Sequence, residues 1–204
     1  MKDFIELMRV AADWLMGPKR SAVLTMPNHC DNDLYVSGLK EEVDRFIEVA
    51  CAPNHQGTEQ ILSEEPFIPY PERFRKMDEA AREWERQRSI EGQSMLGLGV
   101  RPKDGFHSGG IDWCRENWGT KWGFYAIKGP IQSYNVNGTT VAYHFQTAWS
   151  PPLPLIQKMA EMFPALEFKL EFFERGRAFQ GRYVWKGGEL VKSKDEEYHG
   201  DRGG

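Results

Sequence analysis

Cysteine is scarce in this chain, with only Cys30, Cys51 and Cys114 among 204 residues. Three thiols cannot all pair, and none forms a CxxC, so a disulfide framework is excluded and reduced cysteines in a bacterial cytoplasm are expected. His29, Cys30, His107, Asp112 and Cys114 lack the close spacing of a zinc site, and no metal or cofactor is expected. Long apolar runs are also missing: nothing approaches the roughly 18 residues that span a bilayer. An excess of positive charge is absent as well. Lys and Arg total 26 against 30 Asp and Glu, for a net charge of -4, which disfavours binding duplexes by phosphate neutralisation. The glycine-rich "GLGVRPKDG" lacks the Gly-Lys-Ser/Thr ending of a phosphate loop. Asp112, Glu116, Glu171 and Glu174 show no spacing diagnostic of acid–base work.

What remains is 40% hydrophobic and 13% aromatic residues, enough for one globular core. Residues 1–25 carry Phe4, Ile5, Met8, Ala11, Ala12 and Leu15 at helical spacing, which predicts an amphipathic helix ended by Gly17-Pro18. "HCDNDLYVSG" alternates as a strand. "LKEEVDRFIEVAC" follows at once as a helix with Leu39, Val43, Phe46, Ile47 and Ala50 on one stripe. Residues 52–122 break the pattern. They hold a proline-rich loop, a charged helix with Glu72–Lys76 and Asp78–Arg82 at i,i+4, and a glycine-rich loop, and they read as one insertion.

The sheet resumes in two runs joined by Asn137-Gly138, a strong hairpin signal. A proline-started helix with Leu155, Ile156, Met159 and Met162 or Phe163 inward comes next. The strand Leu166–Phe172 follows, then a last hairpin turning at Gly187-Gly188, and a tail over 192–204 expected to be disordered. The order β-α-insertion-β-β-α-β predicts an α+β, ferredoxin-like βαββαβ sheet with a C-terminal hairpin, spanning residues 26–191. Two helices should cover one face, and the insertion or late hairpin could cover part of the other.

The richest stretch is "IDWCRENWGTKWG", in which Trp113, Trp118 and Trp122 sit beside Arg115, Asn117 and Lys121, with Trp149 further on. Such indoles suit either an anchor tying the insertion to the sheet or a binding surface. A second candidate surface, for single-stranded nucleic acid, comprises the basic residues Arg73, Arg75, Lys76, Arg101 and Lys103 with the free sheet face carrying Tyr35, His144 and Lys169. A third places Cys114 and Asp112 in a Trp-lined pocket of a small-molecule enzyme, although no catalytic residue stands out.

"MPNHCDNDLYVSG", "DWCRENWGTKW", "FQTAWSPP" and "FPALEFKLEFFERGRAFQG" occur in the order in which the YubB-type proteins of plasmids and phages carry similar motifs. The chain resembles that family over residues 26–191. His29 departs from it, standing where the family usually has Trp. The resemblance starts at Met26, which suggests an ancestral start there, with the preceding helix an upstream addition. It implies a ferredoxin-like fold and a mobile-element setting, and supplies no catalytic mechanism. The leading expectation is therefore a non-enzymatic interaction protein. It would bind a host or mobile-element macromolecule through the Trp-bearing insertion and the adjoining sheet edge, in a role such as counter-defence or DNA maintenance. Nucleic-acid binding and small-molecule catalysis are the alternatives.

Overall fold

The computed structural model describes residues 28–90, 99–135 and 138–200. The helix expected over residues 1–25 lies outside these, as do residues 91–98 of the glycine-rich loop and Asn137 of the hairpin turn.

Strand β1 (His29–Gly38) alternates as its sequence requires: Cys30, Asn32, Leu34 and Val36 are buried, while Asp31, Asp33, Tyr35 and Ser37 are only partly covered. Helix α1 (Lys40–Ala50) buries Val43, Phe46 and Ala50. Leu39, expected to head that stripe, is the N-cap residue and is 69% exposed. It precedes the first helical turn, so the 3.6-residue period does not yet orient it toward the core.

The insertion then contributes a two-stranded ribbon, β2 (Ala52–Pro53) with β3 (Glu59–Gln60), followed by α2 (Glu72–Ile90). A kinked π-turn over Phe106–Gly110, closed by the Gly110 N–H donating to Gly105 O at 2.9 Å and with Gly109 at φ of +118°, leads into α3 (Ile111–Asn117). On α2 the pair Lys76–Glu72 forms at 3.7 Å. Asp78, expected to pair with Arg82, instead accepts the Phe106 N–H at 2.9 Å and ties α2 to the π-turn.

The sheet continues with β4 (Tyr125–Asn135), β5 (Gly138–Ala148), α4 (Leu153–Met162), β6 (Glu167–Glu174), β7 (Phe179–Lys186) and β8 (Glu189–Glu197). All six long strands form one antiparallel sheet in the order β4-β5-β1-β6-β7-β8. Its first four strands are the ferredoxin-like βαββαβ arrangement that the alternation predicts. The Gly187-Gly188 turn, with φ of +62° and +82°, adds β7 and β8 in plane at the β6 edge.

Both covering helices lie on one face. Phe46 of α1 packs edge-on against Tyr143, Phe163 and Phe168. The Trp185 indole of β7 donates to Gln157 Oε1 of α4 at 2.8 Å. At the end of α4 it is Phe163 that is buried, while Met162 is 37% exposed. The insertion joins this same layer through Phe67 stacked on Phe46, and just after it Phe124 packs against Phe145 at 4.7 Å. On the second face the end of the late hairpin covers one part, as expected: Tyr198, just after β8, stacks on Phe173, which is buried opposite Asp31. That face holds Tyr35, His144 and Lys169 in partly exposed positions, as is usual for an antiparallel sheet with one solvated side.

One boundary moves. Residues 192–197, expected in a disordered tail, belong to β8. Charge density made them resemble a tail, but a solvent-facing edge strand favours charged residues. The strand is held by its ladder to β7, by the Tyr183 hydroxyl donating to Asp195 at 2.7 Å, and by Tyr198, whose ring stacks on Phe173.

The core is rich in buried phenols, which gives a pH prediction. Burial raises the Tyr70, Tyr143 and Tyr183 hydroxyls above the ordinary phenol value. It also pushes Tyr125 up to about 12, with Cys30 and Asp31 adding to the shift. Because the folded values are raised, their contribution is intact below the unfolded value of about 10 and is lost as pH rises through the folded values. Circular dichroism and absorbance at 295 nm should therefore show unfolding and phenolate formation together above pH 10. Free titration of all tyrosines near pH 10 in a still-folded chain would contradict this.

Candidate functional site

The Trp-rich segment divides into an interior half and a surface half. Residues i and i+4 of a helix share a face, so Cys114 on α3 and Trp118 at its C-cap both turn inward, and both are buried. The Trp118 ring lies 5.3 Å from Trp113, 5.8 Å from Tyr70 and 5.4 Å from His55, and its N–H donates to Ile68 O at 2.7 Å. It thereby pins α3 to the loop before α2. Asn117 turns back to donate to Trp113 O at 2.9 Å and closes the helix end.

Beside Trp118 lies a pair that no motif announced. The Glu64 side chain is fully buried, and its Oε1 accepts from both His55 Nδ1 at 2.7 Å and the His55 backbone N–H at 3.2 Å. A bond from Nδ1 to a carboxylate requires the proton on Nδ1. Gly123 packs so closely that an added Cβ would overlap the Glu64 carboxylate. Gly123→Ala is therefore expected to cost about 1–3 kcal/mol through overpacking, read as a lowered urea midpoint with an unchanged slope.

The proposed enzyme pair is not assembled. Cys114 faces the interior, where burial raises its thiol, with Glu64 and Asp78 reinforcing the shift. Asp112 lies on the outer side of α3 with its side chain 76% exposed, paired with Arg115 at 3.7 Å. Two residues along a helix are about 200° apart, so one pocket cannot take both side chains, and a buried thiol is a poor nucleophile. Among the described residues no cluster of three His, Cys, Asp or Glu could hold a metal.

The surface half is built where two distant stretches meet. After α3 the chain turns at Gly119, with φ of +78°. Ser150 Oγ donates to Gly119 O at 2.6 Å, Thr120 Oγ1 donates to Ala148 O at 3.0 Å, and Ala148 N–H donates back to Thr120 Oγ1 at 3.1 Å. This lacing sets "GTKW" against "TAWS". Lys121 Nζ consequently sits 4.8 Å from the Trp149 ring and 5.1 Å from that of Trp122, with the Arg115 guanidinium 6.0 Å from Trp149.

All four side chains are half-buried. Trp149 adopts φ of +74° while its N–H donates to Asn28 O at 2.9 Å. Such a backbone is unfavourable for a bulky residue and persists only where its surroundings enforce it. The patch continues to the open sheet face through Trp122 and Tyr125, whose rings are 6.1 Å apart, and the Tyr125 hydroxyl bonds His29 Nδ1 at 2.6 Å.

Of the expected binding residues, Arg115, Lys121, Trp122 and Trp149 share this patch. Trp118 is interior, Trp113 packs against it, and Asn117 serves the helix end. The basic residues of the nucleic-acid alternative do not form one surface. Arg75 is held by Glu65 at 2.6 Å and Glu72 at 3.5 Å, and Lys76 is near Glu72. Arg101 is held by Glu85 at 2.7 Å and Asp104 at 3.3 Å. Arg73 lies over the Phe74 ring, and Lys103 is exposed. On the open face His144 is flanked by Asp33 at 3.0 Å and Asp31 at 3.8 Å, while Lys169 lies over Tyr35. That face is mixed in charge.

Residues 130–202 match the model of the ferredoxin-like domain in Api92-like protein. The matched stretch runs past residue 191 and takes in the whole of β8. A crystal structure of protein Api92 from Yersinia pseudotuberculosis is similar over 84% of this chain and 98% of that one, with a TM-score of 0.50 and 12% identity. At that identity the Api92 likeness speaks for the fold alone. No curated protein matches the chain. No helix among the described residues is long and apolar enough to cross a membrane.

The resemblance drew attention to "DWCRENWGTKW" and "FQTAWSPP" separately. Their meeting was not legible, because it depends on the lacing of Gly119–Thr120 to Ala148–Ser150. His55 and Glu64 carried no signal, being nine residues apart in a loop.

Proposed function

We propose that this chain is a non-enzymatic interaction protein of the YubB type, working for a phage or plasmid and binding a host or mobile-element macromolecule. The carrying observation is Trp149: a half-exposed indole on a backbone at φ +74°, set beside Lys121, Arg115 and Trp122. Trp and Arg at a desolvated centre are the usual anchors of protein interfaces. A left-handed Trp is strain retained where a function can use it. The buried Cys114 and the separated Asp112 support a non-catalytic reading. The mobile-element setting rests on the shared motifs.

Trp149→Gly tests this reading, because glycine relieves the strained backbone while removing the anchor. The variant should keep its stability to within about 1 kcal/mol and lose the partner captured by the wild type from a bacterial lysate. Trp122→Ala should lose the same partner. Retention of that partner by both variants would refute the surface.

A further inference from the structure

Resting on that surface, we infer that its partner presents a carboxylate to Lys121, from an Asp or Glu side chain or a chain terminus of a protein. The Lys121 ammonium lies over two indoles, the residue is half-buried, and among the described residues no carboxylate pairs with it. This contrasts with Arg75, Lys76 and Arg101, each of which has an acidic neighbour. The indole N–H groups of Trp118 and Trp185 are both used internally, whereas those of Trp122 and Trp149 have no protein acceptor among the described residues. The patch therefore holds one ammonium without an acidic partner beside two indoles whose N–H donors are unused among the described residues, and a carboxylate is the acceptor that pairs with such a cation.

The same geometry disfavours a nucleic-acid strand. Stacking needs free aromatic faces, yet Lys121 lies over both Trp122 and Trp149, and Arg115 lies near Trp149 as well. A polyanion leaving the patch would also meet acids on either side. Asp31 and Asp33 lie along the open sheet, Asp112 and Glu116 lie along α3, and the chain carries a net charge of -4. A single carboxylate on a peptide avoids both conflicts.

The probe is N-acetyl-Gly-Asp-Gly amide, titrated into the full chain while the indole N–H resonances are followed by 15N NMR. Assignment uses Trp122→Phe and Trp149→Phe. The Asp peptide should shift the Trp122 and Trp149 resonances, and its Asn counterpart should bind about tenfold more weakly or worse, as for a hydrogen bond to a charged group. Lys121→Met should weaken the Asp peptide by a similar factor at unchanged melting temperature, and Lys121→Arg should recover part of it.

Equal binding of the Asn peptide would overturn the inference. So would the absence of any shift, or tighter binding of a thymidine tetranucleotide. The surface itself is judged separately, since a captured partner lost with Trp149→Gly but kept with Lys121→Met leaves the surface standing and removes only the carboxylate.

Discussion

Trp118→Ala is expected to lower the melting temperature by about 10 °C. Truncating a fully buried Trp costs about 3–5 kcal/mol, and a chain of this size loses roughly 2–4 °C per kcal/mol. The indole is completely enclosed, touches Trp113, Tyr70 and His55, and supplies the donor for Ile68 O. Its removal leaves a cavity and an unpaired carbonyl between α3 and the loop before α2. Trp118→Phe should fall between the two, because it keeps ring packing and loses the hydrogen bond. A melting temperature within about 2 °C of wild type for the Ala variant would show that the insertion does not depend on this anchor.

His55→Ala should be comparably damaging. Its partner Glu64 is fully buried and takes two donors from His55. Removing one partner of a buried hydrogen bond leaves the other unsatisfied and costs about 1–3 kcal/mol, to which the lost His55 packing adds. Replacing both members with apolar residues of similar volume avoids that penalty. The double variant His55→Phe, Glu64→Leu should therefore recover much of the loss in a chemical denaturation series. If the double variant were as unstable as His55→Ala, the cost would lie in packing against Trp118 rather than in the buried carboxylate.

These two sites show why the candidate surface was only partly legible. The sequence pointed to the aromatic cluster but could not say which rings turn inward. Trp118 is committed inward by its position one helical turn after Cys114 and by the carbonyl of Ile68. Trp122 lies beyond the Gly119 turn, where the helical period no longer applies, so its exposure is set by the strand-end lacing. Leu39 and the residues of β8 were misjudged for related reasons. A helical stripe does not extend to an N-cap residue with extended backbone such as Leu39, and a charged run looks the same in an edge strand as in a tail.

The sequence by itself determined the order of the core elements and the buried positions of strands such as β1 and β5, because alternation at period two and stripes at period 3.6 are local properties of the backbone. Only the tertiary structure decided that the insertion joins the helical layer, while the end of the late hairpin covers part of the second face. It alone closed His55 on Glu64 and brought Lys121 between Trp122 and Trp149. His55 and Glu64 are nine residues apart and Lys121 and Trp149 twenty-eight, and no local periodicity encodes such contacts.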